Sequence, residues 1–375
     1  MKEDRVLHII AFNVPAPPDY GGVIDIFYKI KALHESGIRV ILHTYQYGRE
    51  QSSELNNICE AVYYYKRDKT LEYFFRRQAF IVVTRNSREL IDRLQKDRYP
   101  IIFEGLHCCN NIDELDHNDR KLVIRAHNIE HEYYSQLGFY EKNFLKKIFY
   151  YTEAMKLTVY EKEIYPSRQI AAISSSDDKY FAKNYSNSSL IPAFHPYEDI
   201  EIKQGFGSHI LYHGNLSVPE NIEAANFLLK NVFPYILYPC IIAGKNPHKS
   251  IYKNAQGVSN VKILDNPDKI LMEELISNAQ INLLPAFQKS GLKLKLLAAL
   301  FRGRHCLVNA KMISGSGLES LCTLAEEVSE FIARSNELIL KPLEDTEIIK
   351  RKELLFFHFS NKLNAAKLIQ LLWPE

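Results

Sequence analysis

The chain has 375 residues, too many for one hydrophobic core of ordinary size, so two domains are expected. A hydrophobic fraction of 46%, a charged fraction of 25% and a net charge of +2 indicate a globular protein without the basic bias of nucleic-acid binders. The six cysteines include no C-x-x-C spacing, so neither a zinc site nor a disulfide framework is indicated. Reduced thiols, a start unlike a secretory signal and the lack of a long apolar run predict a cytoplasmic protein.

Short apolar runs alternate with amphipathic helical patterns through the first half of the chain, which predicts βαβ units around a parallel sheet. A Pro/Gly loop separates the first strand from the first helix, and Gly37 ends that helix. The predicted strands are residues 5–12, 38–45, 61–65, 100–106, 121–127 and 169–174. The predicted helices are residues 23–36, 85–97, 143–165 and 175–185.

The alternation breaks at residues 192–208, which hold prolines and glycines without a clear period, and then restarts. Strands are predicted at residues 209–214, 239–244, 261–264, 281–287 and 305–310. Helices are predicted at residues 219–234, 269–279, 292–303 and 360–374. We therefore expect an α/β fold with two Rossmann-like domains facing each other across a cleft, over residues 1–195 and 196–357. Residues 358–375 form a last helix that packs back toward the first domain, and ligands are expected at the carboxyl ends of the strands.

Two glycines, Gly21 and Gly22, lie between the first predicted strand and its helix. Glycine lets a backbone approach a ligand closely, and a helix start offers unpaired N–H groups to an anion. The loop lacks the full G-x-G-x-x-G spacing, so a merely flexible connection is the alternative interpretation.

His127 ends the predicted strand at residues 121–127, which places it at the edge of the expected cleft. There a histidine can donate to a substrate oxygen or carry a proton. A structural cap without chemistry is an alternative. A second alternative is zinc, because His127, Glu130 and His131 form an H-x-x-E-H string, the pattern of a zinc hydrolase.

In the second half, Gly214 and Asn215 end one predicted strand, and Gly244 and Lys245 end the next. Lys293 and Lys295 then follow Gly291 in what we expect to be the first turn of a helix. A cation there opposes the helix dipole at a cost of about 0.3–1 kcal/mol, which a bound diphosphate would offset. A solvated helix face is the alternative interpretation.

Several of these segments, in this order, resemble the GT-B glycosyltransferases, and family 4 (the group 1 glycosyltransferases) in particular. "YHGNLSVPENIEAANFLLKNVFP", "IIAGKNP" and "GLKLKLLAALFRGRHCLV" are similar to the donor-binding half of that family. "PPDYGG" and "AHNIEHEYY" are similar to segments of its first half. The likeness covers nearly the whole chain and is weakest over residues 47–121.

The resemblance implies a hexosyltransferase-like enzyme that moves a sugar, with retention, from a nucleotide-sugar to a saccharide or lipid-linked saccharide. It makes residues 1–195 the acceptor side and residues 196–357 the nucleotide-sugar-binding domain, in polysaccharide or glycoconjugate synthesis. It implies no cofactor and no metal, and the chain has no D-x-D pair. By carry-over, His127 lies beside the reacting centre. The implied diphosphate-binding residues are Gly21, Gly22, Lys245, Ser290, Gly291, Leu292 and Lys293. The implied nucleotide and ribose region is Gly214, Asn215, Gly244 and Ala298.

The family's two glutamates, eight positions apart, are replaced here by Ser290 and Ala298. The second glutamate of the family holds the ribose hydroxyls, and each hydrogen bond to a charged group is worth about 1.5–3 kcal/mol. Either a nearby group such as Glu319 replaces it, or donor binding is weak, or the chain is a catalytically impaired homologue that binds nucleotide-sugars or acts as a scaffold. A nucleotide-sugar epimerase of the same overall fold is a further alternative.

Two stretches in the first half, residues 73–77 and 144–151, mix basic and aromatic side chains. Such a face suits an anionic membrane, and a lipid-linked acceptor would be found there. Peripheral contact with the inner face of the cytoplasmic membrane is therefore a hypothesis, and an amphipathic helix that packs its aromatic residues on the sheet is the alternative.

Overall fold

The structure, a computed structural model, describes residues 5–115, 120–287 and 293–374. The chain forms two compact units. Unit 1 comprises Met1–Pro196 together with Phe359–Glu375, and unit 2 comprises Tyr197–His358. No helix in the described part of the chain is long and apolar enough to span a membrane.

Unit 1 is built on a parallel sheet of seven strands among the described residues, in the order β3-β2-β1-β4-β5-β6-β7. The order reverses between β1 and β4, and in open α/β sheets this switch point is where ligands bind. The strands are β1 (Val6–Ala11), β2 (Arg39–Gln46), β3 (Ala61–Lys66), β4 (Ile101–Glu104), β5 (Leu122–Ala126), β6 (Gln169–Ala172) and β7 (Ser188–Leu190).

Unit 2 repeats this arrangement with six parallel strands among the described residues, in the order β10-β9-β8-β11-β12-β13. Its switch point lies between β8 and β11. The strands are β8 (His209–Asn215), β9 (Cys240–Lys245), β10 (Val261–Asp265), β11 (Ala279–Leu284), β12 (His305–Val308) and β13 (Thr323–Leu324).

Helices connect the strands of both units, as a parallel sheet requires. The helices of unit 1 that precede unit 2 are α1 (Gly21–Glu35), α2 (Phe80–Val83), α3 (Arg88–Leu94), α4 (Glu130–Tyr140), α5 (Phe144–Ile164) and α6 (Ser175–Tyr185). The next helices along the chain are α7 (Pro219–Phe227), α8 (Lys249–Ala255), α9 (Lys269–Asn278), α10 (Leu294–Arg302), α11 (Ala310–Ile313), α12 (Val328–Ile339) and α13 (Asp345–Phe359). The last helix is α14 (Asn361–Leu372).

The last helix, α14, belongs to unit 1 although the chain reaches it only after unit 2. Ala365 and Leu368 are buried in one apolar cluster with Ile30 and Leu33 of α1. The Asn361 amide donates to the backbone oxygen of His195 at 2.8 Å and accepts from its N–H at 3.2 Å. Apolar packing and these two hydrogen bonds therefore hold α14 against unit 1.

The parallel α/β architecture predicted from the alternating pattern is confirmed in both units. The pattern missed β7 and β13, which are edge strands of three and two residues with partly polar composition. It also missed α4, because Glu130–Tyr140 mixes polar and aromatic residues without a clear apolar period.

Position 244, at the carboxyl end of β9, must be a glycine because β8 approaches it closely. It is the register partner of Gly214, and a Cβ on Gly244 would lie 1.8 Å from the Gly214 carbonyl oxygen. That carbonyl belongs to the sheet and cannot move aside without breaking the pairing of the two strands.

We predict that Gly244→Ala lowers the free energy of unfolding of unit 2 by about 3 kcal/mol, because the added methyl group forces β8 and β9 apart. Urea unfolding followed by circular dichroism measures the change. Gly21→Ala is the matched control, since a Cβ there meets nothing within 4 Å. Equal unfolding midpoints for the two variants would contradict the steric argument.

Candidate functional site

The carboxyl ends of β4 and β5 and the first turns of α1 bring four charged side chains together inside unit 1. Lys29 Nζ donates to Asp25 Oδ2 at 3.0 Å and to Glu104 Oε2 at 2.8 Å. Arg125 binds the other side of Asp25 through two nitrogens, with Nη2 to Oδ1 at 2.7 Å and Nε to Oδ2 at 3.1 Å. No more than 1% of any of these four residues is exposed, so two buried anions are balanced by two buried cations.

Hydrogen bonds complete this network, as buried charges require. The backbone N–H of Phe194 donates to Asp25 at 2.9 Å, and Arg125 donates to the backbone oxygens of Ile191 and Pro192. Burial by itself raises the pKa of Asp25, but Arg125 and Lys29 outweigh it and hold the pKa well below the usual range. Asp25 is therefore ionised throughout the neutral range.

His127 is held by this network. Its Nε2 lies 2.9 Å from Glu104 Oε2, and its side chain is 9% exposed. Burial raises the pKa of Glu104, but Lys29 and His127 lower it by more, so Glu104 is a carboxylate that accepts the Nε2 proton. In the tautomer with the proton on Nε2, Nδ1 is the ring atom that accepts a hydrogen bond. The contact with Glu104 thus fixes the position of the His127 ring.

Three side chains of this network, Asp25, Glu104 and His127, could bind a metal ion, because their ligand atoms lie within 4.8 Å of one another. The Lys29 ammonium donates to both carboxylates, so the positive charge that a metal would supply already comes from a side chain.

The prediction that the H-x-x-E-H string forms a zinc site is wrong, because its three side chains, all of them described, do not come together. His127 binds Glu104, whereas His131 Nδ1 lies 2.8 Å from Glu161 Oε2. Glu130 is buried, and its Oε2 lies 3.8 Å from His107 Nε2. The three side chains diverge because His127 follows β5 whereas Glu130 and His131 begin α4, so the string never forms a single helical face.

Gly21 and Gly22 open α1, whose N-cap residue Tyr20 makes no side-chain capping bond. A Cβ on Gly22 would lie 2.7 Å from the ring of Phe12, which also contacts the His127 ring at 5.5 Å between centroids. The close packing of the Phe12 ring therefore explains why position 22 is a glycine. A Cβ on Gly21 would meet open space, so this helix start, which has no acidic residue in its first turn, is accessible to an anion.

In unit 2, Lys295 lies in the first turn of α10, and Lys293 is the N-cap rather than a residue of that turn. Lys295 Nζ donates to Asn221 Oδ1 at 2.8 Å and lies 5.1 Å from the centre of the Tyr212 ring. Lys293 Nζ is 4.0 Å from Glu220 Oε1. Two lysines therefore lie at a helix start that has no acidic residue in its own first turn and no side-chain cap, and both contact side chains of α7.

The neighbouring strand ends carry the other residues singled out in unit 2. Gly214 pairs with Gly244, and Asn215 pairs with Lys245, at the carboxyl ends of β8 and β9. The Asn221 amide donates to the Asn215 backbone oxygen at 2.9 Å, which links these strand ends to Lys295. The remaining predicted diphosphate contacts lie outside the described residues: Ser290, Gly291 and Leu292.

Ala298 is 5% exposed and belongs to an apolar cluster with Leu211, Ala243, Leu275 and Ile276. Its methyl group packs in the interior of unit 2, and it offers no polar atom to a ribose. A carboxylate introduced at this position would have to leave the apolar cluster or lose its hydration.

Sequence reasoning missed Asp25, Lys29, Glu104 and Asn221. A signal existed for the first two, since Asp25 and Lys29 are four residues apart on the apolar face of a predicted helix, where an isolated charge is unfavourable. Glu104 likewise ends an apolar strand. Only the fold shows that Lys29, Glu104 and Arg125 meet.

Comparison with known proteins identifies the fold. No model of a known protein family matches the chain. An uncharacterized 44.6 kDa protein in the cps region of Klebsiella pneumoniae is 24% identical over 311 residues, or 78% of this chain and 79% of that protein.

Three solved structures show the similarity of fold, and each aligns with 98% of this chain. Sucrose-phosphate synthase from Thermosynechococcus elongatus has a TM-score of 0.69 at 13% identity, with 98% of its chain covered. WaaG, a glycosyltransferase involved in lipopolysaccharide biosynthesis, has a TM-score of 0.65 at 12% identity, with its whole chain covered. HepE from Anabaena, solved with UDP and glucose, has a TM-score of 0.66 at 11% identity, with 99% covered. The chain therefore has the GT-B glycosyltransferase fold, as the sequence motifs predicted.

We predict that Glu104→Gln lowers the free energy of unfolding by about 3 kcal/mol, because it leaves the buried Lys29 ammonium with one carboxylate instead of two. Urea unfolding measures the loss. Glu60→Gln is the matched control: it removes a carboxylate that pairs with Arg39 at 2.7 Å on the surface, where both side chains are more than 40% exposed. The control should unfold like the parent chain. A similar small change in both variants would mean that the buried network contributes little.

Proposed function

We propose that this chain transfers a sugar from a nucleotide-sugar to a saccharide or lipid-linked saccharide acceptor in polysaccharide or glycoconjugate synthesis. The observation that carries the proposal is the start of α10. Two lysines lie there, beside the switch point of unit 2, in a chain with the GT-B fold over nearly its whole length. The first turn of α10 has no acidic residue of its own, and Glu220 of α7 lies 4.0 Å from Lys293. Such a helix start favours a group with several negative charges, and the diphosphate of a nucleotide-sugar is one.

The lysines also suit the chemistry of the transfer. The bond from the sugar to the diphosphate breaks, and negative charge develops on the departing phosphate. Lys293, Lys295 and the first N–H groups of α10 stabilise that charge without a metal ion. The leaving phosphate itself assists the incoming hydroxyl, so retention of configuration needs no strong protein base. His127, fixed by Glu104, offers Nδ1 as an acceptor to a sugar hydroxyl.

Two comparisons support the substrate class. HepE, of the same fold, was solved with UDP and glucose, which makes a uridine diphosphate sugar the first donor to test. The Klebsiella relative lies in a cps region, and WaaG acts in lipopolysaccharide biosynthesis, so a saccharide acceptor of the cell envelope is the first acceptor class. Because the sequence motifs resemble those of glycosyltransferase family 4, the proposal assigns the chain to that family.

We expect nucleoside diphosphates to raise the melting temperature of the protein, and a screen of UDP, GDP, ADP and their sugars to identify the base. Lys293→Ala and Lys295→Ala should each weaken binding by about tenfold or more, because each removes a charged hydrogen-bond donor. Lys269→Ala is the matched control, since this lysine also begins a helix, α9, in unit 2. Unchanged affinity in both α10 variants would exclude this helix start as the diphosphate site.

Donor binding should also depend on pH through Lys295, whose pKa burial lowers from 10.5 to about 8. Between these two values the folded protein holds fewer protons than the unfolded chain, so without ligand Lys295 makes stability increase with pH. Affinity for a diphosphate should change in the opposite direction, becoming about tenfold weaker one pH unit above that pKa as the competent fraction falls. Calorimetric titration with UDP from pH 7 to pH 9.5 measures this. In Lys295→Arg the decrease should disappear, because guanidinium stays charged.

One observation favours a second candidate, a catalytically impaired homologue that binds nucleotide-sugars or acts as a scaffold. Ala298 lies in the apolar cluster of unit 2 at the position where the resembled family has its ribose-binding glutamate. Slow hydrolysis of the bound donor separates the two candidates. Turnover supports the transferase, whereas tight donor binding without any turnover, also in Ala298→Glu, supports the scaffold.

A further inference from the structure

Helix α5 is apolar on two opposite sides, and unit 1 covers only one of them. The inner side buries Leu157, Tyr160 and Ile164 in the core. The outer side carries an apolar stripe at intervals of three and four residues, a helical repeat that spans about 22 Å. The stripe consists of Phe144, Ile148, Tyr151, Met155 and Val159, with exposed fractions of 72, 45, 39, 71 and 45%.

A second element extends this surface. The turn of helix at Leu71–Phe75 lies against α5, because the Phe74 ring is 5.6 Å from the Phe149 ring and Lys156 Nζ donates to the Phe74 backbone oxygen at 3.0 Å. Phe75 is 91% exposed and Leu71 is 75% exposed. We call the stripe together with Leu71 and Phe75 the α5 surface.

The two aromatic stretches noted in the sequence, residues 73–77 and 144–151, contain both packed and exposed side chains. Phe149 contacts Phe74 and Phe80, and Tyr150 contacts the ring of Tyr134. These rings pack against other aromatic rings of unit 1, as is expected for an ordinary amphipathic helix. Phe144 and Phe75 remain 72 and 91% exposed, and Ile148 remains 45% exposed, so packing within the fold does not account for these three positions.

Basic side chains flank the α5 surface. Arg76 and Arg77 directly follow Phe75, and Lys146 and Lys147 lie in the first turn of α5; all but the half-buried Lys147 are exposed. The acidic side chain on the turn itself is Glu72. The surface therefore combines apolar side chains with an excess of positive charge, which is complementary to a layer that is apolar inside and anionic at its face.

We infer that the α5 surface docks on an anionic lipid bilayer, with the apolar stripe and Phe75 among the upper acyl chains and the arginines and lysines at the lipid phosphates. A second copy of the chain is a poorer occupant, because a two-fold contact would set these cations against themselves. The inference goes beyond the proposed function and holds whether or not the chain transfers sugar.

Vesicle flotation with the full chain tests the inference. We expect binding to vesicles of phosphatidylcholine with phosphatidylglycerol, and little binding to phosphatidylcholine alone. The triple variant Phe75→Ser, Ile148→Ser, Met155→Ser should bind the anionic vesicles at least about tenfold more weakly. The matched control is Leu237→Ser, Ile349→Ser, Phe356→Ser, which removes equally exposed apolar residues from unit 2 and should bind like the parent. Circular dichroism and melting temperature check that both variants are folded.

A separate charge variant, Arg77→Glu with Lys146→Glu, should lose binding to anionic vesicles and weaken the dependence on salt. Equal flotation of the parent and the triple variant, or equal binding to neutral and anionic vesicles, would overturn the inference. So would a dimer of the parent in size-exclusion chromatography that becomes a monomer in the triple variant, since a second copy would then cover the surface.

Discussion

The interaction on which unit 1 depends is the buried set of charges formed by Asp25, Lys29, Glu104 and Arg125. Two carboxylates and two cations lie where two strands, β4 and β5, meet the first helix, and each charge has a partner of opposite sign. Because an unpaired charge in this interior would be costly, the four side chains must be positioned together. Their arrangement fixes Glu104, and Glu104 fixes the ring of His127. The position of His127 and the stability of the core of unit 1 are thus parts of one constraint.

Unit 2 places its charge differently. Its helix start at α10 carries two lysines and no acidic residue in its own first turn, and Glu220 of α7 lies 4.0 Å from Lys293. Asn221 joins Lys295 to the end of β8, and Gly244 lets β8 and β9 approach each other at that end. The charged groups of unit 1 are therefore enclosed in its core, whereas the lysines of unit 2 lie at the start of a helix.

The α5 surface differs from both charged clusters, because it combines exposed apolar side chains with basic ones. Its apolar stripe is not needed by the core, which uses the opposite side of the same helix, and its flanks are basic. A transferase with a lipid-linked acceptor would meet that acceptor at a membrane, so the two proposals are compatible. They remain separable, because the residues in the vesicle experiment are distinct from His127, Lys293 and Lys295.

The sequence by itself determined the parallel α/β architecture, since buried strands and amphipathic helices leave different periods of apolar residues along the chain. It also made His127, Lys293 and Lys295 candidate site residues, because charge and glycine at strand ends and helix starts are local signals. The tertiary structure alone decided that Lys29 meets Glu104 across 75 positions and that Arg125 meets Asp25 across 100. It likewise decided that Ala298 is buried and that Phe75 is exposed. These contacts depend on strand order and on which helix face meets the sheet, and no local period encodes either one.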